Sequence, residues 1–196
     1  MNALAKIPVY MSLDEFLAWN PGGDELWQLI DGVPQAMAPP STIHGALQSE
    51  LARLIGNHLR SQDGRCRILT TPGVVPHMLS SANLRVPDLA VTCSPLEIGQ
   101  SSITDPILVI EILSPSNQAE TRANLWAYST IPSVQKIFVL QSVFIGAELM
   151  RRGFDGTWPK EPERIKSGDI VLDSIGMRLP LLDLYDGTPL WRPSAG

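Results

Sequence analysis

The chain has 196 residues, 44% of them apolar and 18% charged, which is enough for one compact core, too little for two comfortable domains, and too apolar for a chain that stays disordered. No apolar stretch approaches the roughly 20 residues needed to cross a bilayer, and the start of the chain lacks the basic-then-apolar layout of a secretory leader, so a soluble, cytoplasmic protein with no membrane partner is expected. A net charge of −5 argues against loose, whole-surface binding of nucleic acid.

Taken in order, Ser12 to Asn20 reads as a short helix with Ser12 and Glu15 spaced as a capping box. Trp27 to Ile30 and Val33 to Met37 flank Asp31-Gly32, a dipeptide suited to the positive φ angles of a tight hairpin. The longest helix begins at Ser41 or Thr42 and runs to about Ser61, because Ile43, Leu47, Leu51, Leu54, Ile55 and Leu59 recur at three- and four-residue spacing. Strands are expected over Arg67 to Thr71, Val74 to Leu79, Leu84 to Thr92 and Ile107 to Leu113, the last apolar on both faces and therefore central. A second helix spans about Asn117 to Thr130, with Asn117 and Glu120 as its capping box and Pro132 beyond its end. Lys136 to Gln141, Phe144 to Arg151, Ile170 to Asp173 and Leu181 to Tyr185 read as further strands. The order is helix, strands, helix, strand: an α/β protein with a central mixed sheet flanked by helices and extra C-terminal strands.

Two further readings concern charge and cysteine. Between Leu51 and Pro87, Arg53, Arg60, Arg65, Arg67 and Arg85 stand against Asp63 alone. That excess reads either as a phosphate-facing patch or as a solvated helix face and turn. Cys66 and Cys93 lie far apart with no CxxC and no His at ligand spacing, and both are expected to be reduced and structural, as suits a cytosol.

The most informative residue is Glu111. Side chains alternate along a strand, so it shares a face with Val109 and Leu113. A carboxylate isolated there costs several kcal/mol or takes up a proton unless a cation, a donor or a metal stands close. No basic residue lies between Pro87 and Thr121, which makes an external cation a candidate. Asp88 follows Pro87, whose missing N–H perturbs the ladder. If these strands are neighbours, Asp88 and Glu111 could bind a hard divalent ion through oxygens, with the Ile112 carbonyl and waters completing the shell. Such an ion orients a phosphodiester and acidifies an attacking water. The competing reading has Asp88 capping a turn and Glu111 meeting a distant arginine.

Pro87-Asp88, then 22 residues, then Glu111-Ile112-Leu113 resembles the P-D…(D/E)-x-K pattern of the restriction-endonuclease-like nucleases. Leu29-Ile30-Asp31-Gly32, Ser41 with His44, Val86-Pro87-Asp88-Leu89, Glu111 to Ser116, Tyr128 and Ile131-Pro132-Ser133-Val134 resemble, in that order, the restriction endonuclease family of bacterial proteins long catalogued as a domain of unknown function and expanded in cyanobacteria. The likeness covers about residues 12 to 186 of what is expected to be a single domain over 1–196. It implies a restriction-endonuclease-like core, a divalent-metal-dependent endonuclease using Mg2+ or Mn2+, DNA as the nucleic-acid partner, and Asp88, Glu111 and Ile112 as metal ligands. Arg122, Gln28 and His44 are supporting groups in that reading. Three positions depart from the pattern: Leu113 stands where the superfamily has lysine, Asn124 where relatives carry a lysine in the following helix, and Gln28 where relatives carry a glutamate. Arg122 is then the nearby cation, able to stabilise charge but unable to act as a base. The alternative is a catalytically inactive nuclease fold that binds DNA through the Arg53 to Arg85 region or serves as a protein-interaction module. Strands after Phe144 could also pair two copies into a homodimer.

Overall fold

The computed structural model describes residues 10–191 apart from 63, 116 and 117. Its central sheet is built on one strand, β5 (Pro106–Leu113). The alternation of β5 sends Leu108, Ile110 and Ile112 to one face and Val109, Glu111 and Leu113 to the other, and the apolar members of both sets belong to buried clusters. Fully burying each such aliphatic side chain contributes about 1.5–3 kcal/mol, which is why this segment takes the middle of the sheet.

The first face is covered by α2 (Thr42–Ser61), whose Leu47, Leu51, Ile55 and Leu59 form its buried stripe. Ser41 caps this helix, its hydroxyl accepting from the His44 N–H at 3.2 Å. The other face is covered by α3 (Gln118–Ser129), which contributes Leu125 and Tyr128. The Asn117–Glu120 capping box expected for α3 lies outside the described residues.

Around β5, the strands β3 (Arg67–Thr70), β4 (Leu89–Thr92), β6 (Lys136–Gln141), β7 (Ala147–Arg151) and β8 (Glu163–Ile165) form a six-stranded sheet in the order β3-β4-β5-β6-β7-β8. β5 runs antiparallel to β4 and parallel to β6, so the sheet is mixed; α3 makes the crossover that parallel neighbours require. A third apolar cluster lies outside the sheet, where α1 (Leu13–Ala18) packs on the hairpin of β1 (Trp27–Ile30) and β2 (Val33–Ala36) through Phe16, Leu29 and Val86. The Ser12–Glu15 capping box is present, and Asp31 and Gly32 turn the hairpin with φ of 48° and 82°. Among the described residues no helix is long and apolar enough to cross a membrane.

Several expected strands change form. Leu84 to Thr92 is not one strand: Leu84 and Arg85 make isolated bridges to Leu29 and Val74, and the sheet ladder begins only at Leu89. Pro87, with no N–H to donate, separates the two parts. Val74 to Leu79 keeps only the Val74 bridge and ends with Leu79 in the left-handed region at φ 47°. Leu181–Tyr185 is a 3₁₀ turn whose Leu181, Leu184 and Tyr185 complete the cluster over α2. The real C-terminal hairpin is β9 (Asp169–Leu172) with β10 (Met177–Pro180).

The cysteine expectation is also corrected. The β3/β4 register pairs Arg67 with Thr92, so Cys66 and Cys93 fall opposite each other and are joined as a disulfide, with Cα atoms 3.9 Å apart. Residues distant in sequence meet because the antiparallel return aligns them, and the argument from free thiols to a reducing compartment lapses. Replacing both by serine (Cys66→Ser with Cys93→Ser) is expected to lower stability by about 3 kcal/mol through the freed loop entropy. Urea unfolding of the two proteins, without reductant, measures the difference.

Candidate active site

β4 begins and β5 ends at the same border of the sheet, and the first turns of α2 and α3 arrive there from opposite faces. Between them opens a cleft of about 670 Å³ whose wall includes His44, Asp88, Glu111, Glu120 and Asn124.

Asp88 is held by three elements. Leu89 pairs with Ile110, and extending that register by one residue sets Asp88 across from Glu111 on the same face of the sheet. Its Oδ2 accepts the Ile112 N–H at 2.6 Å, and its Oδ1 lies 2.7 Å from Nε2 of His44. Its main-chain carbonyl accepts from Thr71 N–H at 2.9 Å and from the Gln48 amide at 2.8 Å. The proline that ends the ladder therefore leaves the following carboxylate free of the strand but fixed from all sides.

Glu111 is 5% exposed, and its Oε1 accepts the hydroxyl of Tyr128 at 2.7 Å. Burial holds its pKa well above the ordinary carboxylate range, and the charge of Asp88 pushes the same way; the Tyr128 hydroxyl opposes them in part. Tyr128 is itself shifted well up by burial and by Glu111. Among the described residues no guanidinium or ammonium pairs with Glu111.

The other expected residues are distributed unevenly. His44 joins the acids directly. Ile112 reaches them through its amide. Gln28 is fully buried and donates to Oε1 of Glu120, so it touches the cleft wall through that residue, while its own Oε1 has no partner. Arg122 does not come to the acids. Its guanidinium makes a bidentate pair with Glu148 at 2.5 and 2.8 Å and lines a separate cavity of about 270 Å³ with Trp126 and Trp158. The reason is helical: residues two apart lie about 200° apart around the axis, so the turn that sends Asn124 and Tyr128 into the site sends Arg122 away from it.

Two residues on the site escaped the sequence reading. Tyr128 carries only the family likeness in the sequence, with no role at the site, and here its hydroxyl donates to Glu111. Arg85 had been counted only with the surface arginines, yet it is 5% exposed and donates from Nη1 to Oδ1 of Asn124 at 3.1 Å. Of the two readings of the arginine-rich segment, the structure does not assemble the phosphate-facing patch from these three: Arg85 is buried, Arg53 pairs with Glu50, and Arg67 donates to carbonyls of Gly64 and Cys66.

Three comparisons place this arrangement. The model of a family described as Uma2, "Putative restriction endonuclease", matches residues 13–174. An uncharacterised protein of Synechocystis sp. is 31% identical over 179 residues, which cover 90% of this chain and 92% of that protein. The crystal structure described as "a putative nuclease belonging to DUF820" from Anabaena variabilis superposes with a TM-score of 0.71 at 22% identity, covering 89% of this chain and 97% of that one. At that identity the last likeness is one of fold.

The raised pKa of Glu111 has a consequence for stability. An acid whose folded pKa lies above its ordinary value of 4.5 gives its full contribution below that value and loses it as pH climbs toward the folded one. Glu111→Gln, which cannot ionise, is expected to match the wild type near pH 4 and to melt at a higher temperature than it at neutral pH, the gap widening as pH rises above 4.5. Thermal melts of the metal-free proteins across that range decide it; a constant difference between the two would mean that Glu111 is ionised in the fold.

Proposed function

This chain belongs to the Uma2 restriction endonuclease family, and from that premise we propose that it is a divalent-metal-dependent endonuclease that hydrolyses DNA phosphodiesters, with Mg2+ or Mn2+ as its ion. The observation that carries this reading is the facing pair of Asp88 and Glu111 on the cleft wall, one of them buried and neither matched by a guanidinium or ammonium among the described residues.

The donor chemistry fits such an ion. Two carboxyls in close reach repel when both are ionised, and a hard cation between them removes both the repulsion and the burial cost. Among the described residues no three His, Cys, Asp or Glu side chains gather as a metal cage, so the holding set is Asp88 and Glu111, with the Ile112 carbonyl and water supplying the rest. When bound, the ion supplies positive charge to the transition state and acidifies the attacking water.

The remaining roles belong to the chain itself. The Ile112 N–H orients the Asp88 carboxylate, and Tyr128 aims that of Glu111. His44, whose Nε2 lies 2.7 Å from the Asp88 carboxylate on the cleft wall, is an imidazole placed to relay a proton between that acid and the cleft. Gln28 steadies Glu120 at the rim.

Plasmid cleavage with Mg2+ or Mn2+ tests this. Asp88→Ala and Glu111→Ala are each expected to lower the rate by about 100-fold or more, and Mn2+ should raise the Tm of the wild type but not of Asp88→Ala. Equal background cleavage in all three preparations would defeat the proposal and favour a fold that binds without cutting.

A further inference from the structure

The cleft wall carries Asp24, Glu25, Asp88, Glu111 and Glu120, and no lysine or arginine among the described residues. A phosphodiester entering it needs hydrogen-bond donors, and two nitrogen donors on the wall are committed to Asp88. The Gln48 amide donates to the Asp88 carbonyl, and Nε2 of His44 is engaged with the Asp88 carboxylate.

Asn124 is different. A guanidinium has donors only, so the atom of the Asn124 amide that faces Arg85 must be the carbonyl oxygen. Arg85 thereby fixes which way round the amide sits. The nitrogen, with both its hydrogens, is turned the other way; it has no protein partner among the described residues, and it is not one of the sealed unpartnered atoms. Asn124 forms part of the cleft wall between Glu120 and Glu111, so its donor end is what it offers to the cleft.

Arg85 is unusual in its own right. It is buried without a carboxylate in ion-pair reach among the described residues, and its Nε is unpartnered. A buried guanidinium is costly, and nothing in the packing of the hairpin requires one there. Its charge polarises the Asn124 amide, because a carbonyl accepting from a cation makes its own N–H a stronger donor.

We propose that Asn124, locked and polarised by Arg85, donates to a non-bridging phosphate oxygen of the nucleic acid, so that Asn124 is a substrate-binding residue and Arg85 its positioning residue. This rests on the nuclease reading for the identity of the substrate.

The test is the affinity for a fluorescently labelled DNA duplex in calcium chloride, read by anisotropy, alongside cleavage and Tm. Asn124→Asp keeps an acceptor for Arg85, so its Tm should equal or exceed that of the wild type, yet it turns the donor into an acceptor. Asn124→Ala removes the donor without adding charge. Each is expected to weaken duplex binding about tenfold or more, the scale of one lost hydrogen bond to a charged group. Arg85→Met should weaken binding as well, and adding Asn124→Asp to it should cost much less than in the wild-type background. Wild-type affinity in either folded Asn124 variant, additive losses in the double variant, or a wild-type chain that binds no duplex each overturns the proposal. Cleavage is a separate readout: a chain that binds duplex through Asn124 but does not cut refutes the nuclease reading and leaves this one standing.

Discussion

A carboxyl group on the buried strand at the middle of a sheet is the constraint around which this molecule is arranged. Glu111 stands between Ile110 and Ile112, on a face it shares with Val109 and Leu113. An apolar residue would pack there at no electrostatic cost. Keeping an acid at that place obliges the fold to bring polar groups to it from outside the strand: a hydroxyl from α3 and a second carboxyl from the start of β4. The second carboxyl then needs its own support, which comes from the Ile112 amide and from His44 on α2. Both layers of helix and the neighbouring strand β4 are thus tied to one buried carboxyl group.

How much of this was legible depended on the range of the interaction. The α1 cap, the β1–β2 turn, α2 and the central strand all follow from patterns within a few residues, and each appears where those patterns put it. The opposition of Asp88 and Glu111 was legible only on the condition that their strands are neighbours, and the β4/β5 register meets it. What local pattern could not give was pairing between distant segments. The disulfide follows from the β3/β4 register, and the 3₁₀ turn at Leu181–Tyr185 from its docking on α2. Leu84 and Arg85 look like the start of a strand because their composition is strand-like; their partners lie in two different segments, so no continuous ladder forms.

The treatment of arginine shows the same limit within the site. Arg122 is close to the acids in sequence and on the wrong side of its helix, where Glu148 neutralises it. Arg85 looks like one of five surface cations and is instead carried inward, because Leu84 and Val86 on either side of it pack into the cluster beneath α1. Counting charges along a segment says how many there are. Whether they act together depends on the direction each takes from the backbone, and here Arg53, Arg67 and Arg85 take three different ones.

The division of charge across the cleft wall follows from these placements. Acids line the opening, while the nearest buried cation sits behind an amide and projects only a polarised donor through it. Asn124 cannot neutralise a carboxylate, and in the proposed reading its amide nitrogen donates to the anion instead. In the proposed reading this amide, backed by Arg85, is the donor that a phosphate meets in a cleft wall whose described residues carry five carboxyls and no lysine or arginine.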